Sequence, residues 1–172
     1  MGQAAHIVLV GIPGAGKSTV GREVAARLQW PFVDLDEEIE AREGMRVREI
    51  FATRGEAHFR ALEREATERL ARAETPTVVA PGGGWIAVPG LVALVRPPAR
   101  LIWLQVSPAR AMKRLGDGVG RRPLLSGSDP LAALTSILTA REPFYLQADH
   151  TVSVEMMTLF EAVEHILALA RP

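Results

Sequence analysis

Residues 11–19 read GIPGAGKST, a glycine-rich segment that matches the pattern G-x-x-x-x-G-K-[ST]. Gly11 and Gly16 allow the backbone to turn tightly and to bring its N–H groups against phosphate oxygens, and a helix beginning near Lys17 adds its positive end. Lys17 is expected to reach the β- and γ-phosphates, and Ser18 to supply a hydroxyl to Mg²⁺. The segment therefore predicts a nucleotide site, but it leaves open which molecule receives the phosphate.

The composition is that of one ordinary globular domain. The chain has 172 residues, of which 48% are hydrophobic and 23% charged, enough to bury a substantial core. Twenty basic residues balance twenty acidic ones, so no net charge attracts nucleic acid or an anionic membrane. The absence of cysteine excludes a disulfide scaffold and a thiolate metal site. No apolar run suits a signal peptide or a membrane span. We expect a cytoplasmic monomer that binds a small molecule, without a nucleic-acid or membrane partner.

Apolar strands alternate with helices along the chain. The strand candidates are HIVLV, PFVDLD, TPTVVA, ARLIWLQV and HTVSV, at residues 6–10, 31–36, 75–80, 99–106 and 150–154. Such alternation predicts a parallel sheet with helices on both faces, whose ligands gather at the carboxyl ends of the strands. GIPGAGKST, the DLD of the second strand and GGG at 82–84 each follow a predicted strand. These three motifs are therefore expected at one edge of the sheet.

Two aspartates in VDLDEEIE, residues 33–40, are candidates for the chemistry. In an extended segment side chains alternate, which would place Asp34 and Asp36 on the same side. Asp34 would then support Mg²⁺ through water, and Asp36 would accept the proton of the attacking hydroxyl. The alternative is a solvated helix start, because acidic residues are favoured in a first helical turn.

Two arginines far apart in sequence, Arg60 and Arg141, are candidates for binding an acidic acceptor. Two guanidinium groups that converge on one planar anion can hold a carboxylate bidentately. The alternative is that each arginine makes a surface ion pair, Arg60 with Glu63 and Arg141 with Glu142.

The glycine-rich segments beyond the phosphate loop complete the candidate site. GGG at 82–84 would let a polar ligand lie directly on backbone N–H groups, unless it is an ordinary loop. Residues 116–130, GDGVGRRPLLSGSDP, have no apolar period and predict a mobile loop. Within that loop Arg122 would fold over the γ-phosphate and stabilise charge during transfer. The alternative for Arg122 is an exposed, flexible side chain.

Taken together, these motifs resemble those of the shikimate kinases. GIPGAGKST, FVDLD, IF, FRALE, GGG, RRPLL and REPFY occur in the order and spacing of that family, over about residues 6–155. The resemblance implies an α/β fold of the P-loop NTPase type in three layers, with a five-stranded parallel sheet in the order 2-3-1-4-5. It also implies a single domain over residues 1–172, with a substrate-binding segment at about 36–65 and a mobile lid at about 114–128.

The resemblance further implies a reaction and a role for each residue. The γ-phosphate of ATP would pass to the 3-hydroxyl of shikimate, in the pathway to chorismate and aromatic amino acids, with Mg²⁺ as cofactor. The implied catalytic residues are Lys17, Asp36 and Arg122; the ATP-binding residues are Gly14, Ala15, Gly16, Lys17, Ser18, Thr19, Arg114 and Arg122; the substrate-binding residues are Asp36, Arg60, Gly82, Gly83, Gly84 and Arg141. Phe51 and Phe59 would form the wall of the substrate pocket, and Ser18 and Asp34 would serve the metal.

Two residues depart from the family pattern. Pro81 precedes GGG where a small polar or aliphatic residue is commoner, so any hydrogen bond from that side chain towards the magnesium site is absent. Trp85 follows GGG and is bulkier than the pattern predicts. We expect the stretch from Pro81 to Trp85 to influence which cyclic hydroxy acids are accepted.

Two other functions compete with this interpretation. A gluconate-type or nucleoside monophosphate kinase would keep the phosphate loop, but would have no reason for the arginine pair together with DLD and GGG. A ligand-sensing domain that has lost catalysis would be expected to lose Lys17, Asp36 or Arg122, and all three are present.

Overall fold

Five parallel strands form the sheet of the computed structural model, which describes residues 5–170 apart from the side chains of residues 120, 121 and 123. They are β1 (Ile7–Val10), β2 (Phe32–Asp34), β3 (Val78–Ala80), β4 (Arg100–Gln105) and β5 (His150–Ser153). Their spatial order is β2-β3-β1-β4-β5. This confirms the predicted order 2-3-1-4-5. The predicted domain limits, residues 1 and 172, lie outside the described range.

The helices connect the strands in the predicted alternation. They are α1 (Lys17–Leu28), α2 (Leu35–Glu43), α3 (Val47–Ala71), α4 (Leu91–Val95), α5 (Pro108–Leu115), α6 (Pro130–Tyr145) and α7 (Leu159–Ala170). The helical segment after β2 is interrupted at Gly44, which ends α2, and at Gly55, which kinks α3.

Four short helical segments were not predicted as such, and one of them is α4, with five residues. A 3-10 turn at Trp85–Ala87 follows GGG. Two more, Gly116–Arg121 and Pro123–Leu125, lie in the glycine-rich segment that the sequence predicted to be a mobile loop. Segments of only three to six residues are too short to show an apolar period, which is why the sequence pattern did not reveal them.

The centre of the core is the pair of neighbouring strands β1 and β4. All four residues of β1 are buried, and so are the residues of β4 from Leu101 to Leu104. A central parallel strand that is covered on both sides requires such a continuous apolar run. Helix α1 packs beside α7, while α3 packs beside α2 and α4. Within the described range, no helix has both the length and the apolar character needed to cross a membrane.

A buried histidine, His6, joins the start of β1 to helix α3. It is 1% exposed, and its Nε2 lies 3.0 Å from the carbonyl oxygen of Leu70, to which it donates when that nitrogen carries the proton. Burial lowers the pKa of His6 below its ordinary value, and the Leu70 hydrogen bond opposes this effect only in part. Because the unfolded chain then binds a proton more readily than the folded protein, His6 destabilises the fold as the pH drops below the unfolded pKa.

We expect the free energy of unfolding to decrease as the pH is lowered from about 7 to about 5. His6→Gln keeps a donor for Leu70 but does not titrate, so the decrease should be smaller in this variant than in the wild-type protein. Urea titrations at several pH values measure this. His165→Gln, on the exposed side of α7, is the matched control. An unchanged pH slope in His6→Gln would assign the acid sensitivity to other groups.

Candidate active site

Two adjoining cavities lie at the carboxyl edge of the sheet. The phosphate cavity, about 820 Å³, is lined by residues 14–20 of the glycine-rich loop and the start of α1. The arginine cavity, about 690 Å³, contains Arg60 and Arg141. The residues that line both cavities include Asp36, Gly82, Gly83, Arg114 and Arg122. The predicted edge therefore brings the three motifs together around one connected space.

The loop between β1 and α1 has the geometry of a phosphate-binding loop. Gly16 is the N-cap residue of α1 and has φ 93°, a conformation that glycine adopts readily. The ammonium group of Lys17 donates to the carbonyl oxygens of Gly11 at 2.7 Å and Ile12 at 3.1 Å. Burial lowers the pKa of Lys17 to about 7, and the nearby Arg122 acts in the same direction. A bound anion would favour the charged form of this lysine.

Asp34 occupies the end of β2 and the N-cap of α2. Its Oδ1 accepts a hydrogen bond from the backbone N–H of Glu37 at 3.1 Å, and its Oδ2 accepts one from the Ser18 hydroxyl at 2.5 Å. The prediction that Asp34 and Asp36 share an extended segment is wrong, because the helix begins at Leu35. The alternative, that the acidic residues mark the start of a helix, is correct for both aspartates. Both nevertheless line the phosphate cavity.

The pair Ser18 and Asp34 suits a magnesium ion. Both groups offer hard oxygen atoms, and Mg²⁺ in kinases is commonly held by one or two protein oxygens together with substrate phosphates and water. Among the described residues, no group of three or more His, Cys, Asp or Glu side chains has the arrangement of a metal cage. A magnesium ion at Ser18 and Asp34 would therefore depend on the nucleotide for several of its ligands.

Asp36 lies in the first turn of α2 and is aimed at the triglycine turn, residues 82–84. A Cβ atom built on Gly82 would be 2.8 Å from its Oδ1, so only glycine allows this approach. That buried Oδ1 has no hydrogen-bond partner within the described structure. Burial raises the pKa of Asp36 to about 7, and the negative charges of Asp34 and Glu63 act in the same direction. With this pKa, the Asp36 carboxyl group can accept or release a proton near neutral pH.

Arg60 from α3 and Arg141 from α6 converge on the same triglycine turn. A Cβ atom built on Gly84 would lie 2.8 Å from Arg60 Nη2 and 3.4 Å from Arg141 Nη2. A Cβ atom on Gly83 would lie 2.9 Å from Arg141 Nη1. The two guanidinium groups, 81 positions apart in the sequence, therefore face one point. This arrangement suits the bidentate capture of a carboxylate.

The alternative for Arg60, a surface ion pair with Glu63, is correct as to the partner but not as to the location. Arg60 Nη1 does donate to Glu63 Oε2 at 2.7 Å, but Glu63 is only 1% exposed. The pair with Glu63 lies in the wall of the arginine cavity. Arg60 Nη2 faces the triglycine turn and also donates to Oε1 of the exposed Glu56 at 3.4 Å. Burial raises the pKa of Glu63, and its bond to Arg60 opposes that shift.

Aromatic side chains close one side of the arginine cavity. Phe51 and Phe59 both line it, and their ring centroids are 4.8 Å apart. Both residues are on α3, on either side of the kink at Gly55. Such a wall suits the apolar face of a ring whose other side carries polar groups.

The predicted lid contributes two arginines at the junction of the cavities. Arg114, near the end of α5, donates to the carbonyl oxygens of Val154 at 2.6 Å and Ala15 at 3.3 Å. Arg122 follows the Gly116–Arg121 turn, and although its side chain is exposed, it lines both cavities. The alternative interpretation of Arg122 as an exposed side chain is therefore correct as to exposure. The side chain is exposed where the two cavities meet.

Comparisons with known proteins point to one family. The family model of shikimate kinase matches residues 13–170. The chain belongs to the shikimate kinase family. A shikimate kinase from Moorella thermoacetica is 45% identical over 144 residues, which are 84% of this chain and 82% of that relative. The solved structure of a shikimate kinase from Acinetobacter baumannii in complex with shikimate has a TM-score of 0.90 and 31% identity, and covers 96% of this chain and 92% of that one.

These findings confirm the predicted family, and with it the prediction of an ATP-dependent kinase enzyme. A gluconokinase from Sinorhizobium meliloti has a TM-score of 0.59 and 21% identity, and covers 98% of this chain and 92% of that one. It shares the fold alone. Sequence similarity and structural similarity both support the shikimate kinase assignment. The gluconate-type alternative is supported only by similarity of fold.

Three residues at the cavity junction, Glu40, Arg46 and Leu115, were missed by sequence reasoning. All three line both cavities. Glu40 accepts hydrogen bonds from Arg46 Nη1 at 3.1 Å and from the backbone N–H of Val47 at 2.9 Å, which ties α2 to the start of α3. In the sequence Glu40 is one of several acidic residues in α2, so its spacing did not distinguish it.

Trp85, one of the two departures from the shikimate kinase pattern, does not line either cavity. Its side chain is fully buried, and it enters the core beside α3. Pro81 lines the phosphate cavity next to the triglycine turn. We expected the Pro81–Trp85 stretch to influence which acceptors bind. Because the Trp85 ring is buried outside both cavities, it can affect the substrate only through the position of the triglycine turn.

Proposed function

We propose that this chain transfers the γ-phosphate of ATP to the 3-hydroxyl of shikimate, which yields shikimate 3-phosphate and ADP for the pathway to chorismate. The observation that carries the proposal is the convergence of Asp36, Arg60 and Arg141 on the triglycine turn, directly beside the phosphate loop. One carboxylate clamp and one proton acceptor in the same cavity match a substrate that has both a carboxylate and hydroxyl groups.

The two arginines would bind the carboxylate of the acceptor and so fix the orientation of its ring. Arg141 Nη1 is buried without a hydrogen-bond partner among the described residues, and Arg60 Nη2 is turned towards Gly84. Phe51 and Phe59 would contact the ring, and backbone groups of Gly82, Gly83 and Gly84 would contact its polar edge. Fixed in this way, the hydroxyl groups would point towards Asp36 and the phosphate cavity.

Asp36 would accept the proton of the 3-hydroxyl as its oxygen attacks the γ-phosphorus. The bond between that phosphorus and the oxygen bridging it to the β-phosphate breaks, and ADP leaves. The raised pKa of Asp36, about 7, brings its basicity close to the operating pH, where general base catalysis is most effective. Lys17 and Arg122 would stabilise the negative charge on the phosphoryl group during transfer.

Residues 14–19, together with Arg114, would bind ATP along the phosphate cavity. Ser18 and Asp34 would hold Mg²⁺, which when bound neutralises charge on the β- and γ-phosphates. Asp34 is already oriented for this role by its bonds to Ser18 and to the N-terminus of α2.

We further propose that the single domain contains two moving parts, a substrate-binding segment at about 36–65 and a lid at about 114–128. Arg122 lies in the lid and lines both cavities, so closure would move it towards the phosphates. Closure would also exclude water, which otherwise competes with the hydroxyl as phosphate acceptor.

The test is ADP release from MgATP with shikimate, gluconate, a nucleoside monophosphate or no acceptor. We expect a large rate with shikimate only, and mass spectrometry should detect shikimate 3-phosphate. ATP binding without any stimulation by shikimate would overturn the proposal. Stimulation by gluconate alone would favour the competing kinase.

A further inference from the structure

The buried side chain of Trp85 makes a directional link to helix α3. Its indole Nε1 donates to the Thr67 hydroxyl at 2.9 Å, and that hydroxyl donates to the backbone carbonyl oxygen of Glu63 at 2.8 Å. Trp85 and Thr67 are both 0% exposed. The single hydroxyl proton goes to Glu63 and a lone pair receives the indole proton, so donors and acceptors are matched throughout.

The helix end of this link carries the substrate clamp. Arg60, Glu63 and Thr67 are spaced by three and four residues, which places them on one side of α3. Glu63 Oε2 accepts from Arg60 Nη1 at 2.7 Å. The other end of the link is equally close to the clamp, because Trp85 directly follows Gly84, the glycine that Arg60 Nη2 and Arg141 Nη2 approach.

These hydrogen bonds form a chain between the triglycine turn and the substrate clamp. It runs from Trp85, the residue after Gly84, through Thr67 and Glu63 to Arg60, whose Nη2 lies 2.8 Å from a Cβ atom built on Gly84. A buried hydrogen bond has no water to replace it, so losing one donor leaves its partner unsatisfied and allows the segments to shift. This chain of bonds ties the triglycine turn to the helix that carries Arg60.

We propose that Trp85 is a positioning residue for the acceptor carboxylate, acting through Thr67 on the placement of Arg60 relative to Gly84 and Arg141. This inference rests on the proposed function, since it assigns Arg60 and Arg141 to the carboxylate of shikimate. Small displacements of binding groups have large effects on affinity and rate, because bidentate contacts require both donors in place. Trp85 itself touches neither substrate.

The first variant is Trp85→Phe, which keeps an aromatic ring in the core and removes the N–H donor. We expect the KM for shikimate to rise about tenfold, while kcat and the KM for ATP change less than about twofold. Thr67→Val should have the same effect, and Thr67→Ser, which keeps the hydroxyl, should restore the KM. The double variant Trp85→Phe/Thr67→Val should be no worse than either single one, because both remove one interaction.

Thr77→Val is the matched control. Thr77 is also buried and donates to a backbone carbonyl, that of Thr75, but it lines neither cavity. It should lower thermal stability without changing the KM for shikimate. An unchanged KM in both Trp85→Phe and Thr67→Val would overturn the inference. Equal losses for shikimate and ATP that track the thermal midpoint would also overturn it, since they indicate general loosening of the core.

The activity of the wild-type protein with shikimate distinguishes a failure of this inference from a failure of the proposed function. If it does not phosphorylate shikimate, both fail. If it does, and the variants keep the wild-type KM, only the positioning role fails. Should Trp85→Phe not fold, the comparison of Thr67→Val with Thr67→Ser still decides the matter, because the two differ in the hydroxyl that accepts the indole proton.

Discussion

Asp36→Asn is expected to lower kcat by about 10²- to 10⁴-fold, the range over which general bases contribute to catalysis. Asparagine has the same shape but cannot take the proton from the acceptor hydroxyl. It also removes the negative charge that lies near Lys17 and Arg122. The KM for ATP should change little, because the phosphate loop is untouched. Steady-state kinetics with shikimate and MgATP measure both constants.

The matched control for Asp36→Asn is Glu38→Gln. Glu38 is in the same first turn of α2, but it pairs with Arg69 at 2.6 Å and lines neither cavity. We expect kcat within about twofold of wild type for this variant. If Asp36→Asn retained kcat to within about tenfold, Asp36 would orient the hydroxyl without acting as its base.

Arg141→Met is expected to lower kcat/KM for shikimate by about 10³-fold, because it removes half of a buried carboxylate clamp. The loss should appear mainly in the KM for shikimate, with the KM for ATP unchanged. The buried Nη1 of Arg141 has no hydrogen-bond partner within the described residues, but the guanidinium also interacts with the Tyr145 hydroxyl and the buried Glu63 carboxylate. The thermal midpoint should therefore fall less than in Arg60→Met, which removes a direct ion pair. Kinetics and thermal unfolding together check this expectation.

Three further variants sharpen the test of Arg141. Arg141→Lys should recover only part of the loss, since an ammonium group lacks the planar fork that binds a carboxylate. Arg60→Met should lose affinity and stability together, because it leaves the buried Glu63 without its cation. Arg42→Met, at an exposed position outside both cavities, should behave as wild type. A normal KM for shikimate in Arg141→Met would remove Arg141 from the site.

The order of the elements and the phosphate loop could be predicted from local sequence. GIPGAGKST lies between an apolar run and a helical period, and each of these signals depends only on neighbouring residues. The short helical segments and the helix start at Leu35 were exceptions. A short strand and a first helical turn share the acidic stretch VDLDEEIE, and the aspartate that ends the strand also caps the helix. Sequence alone did not separate these two conformations.

The sequence by itself determined which chemical groups this protein has and which edge of the sheet they reach, because strand and helix patterns are local. Tertiary structure decided the rest. It brought Arg60 and Arg141 to one glycine, raised the pKa of Asp36 by burial, and turned Trp85 into the core instead of the cavity. These outcomes depend on how α3, α6 and the triglycine turn pack against each other, and no local periodicity encodes the contacts between segments so far apart in the chain.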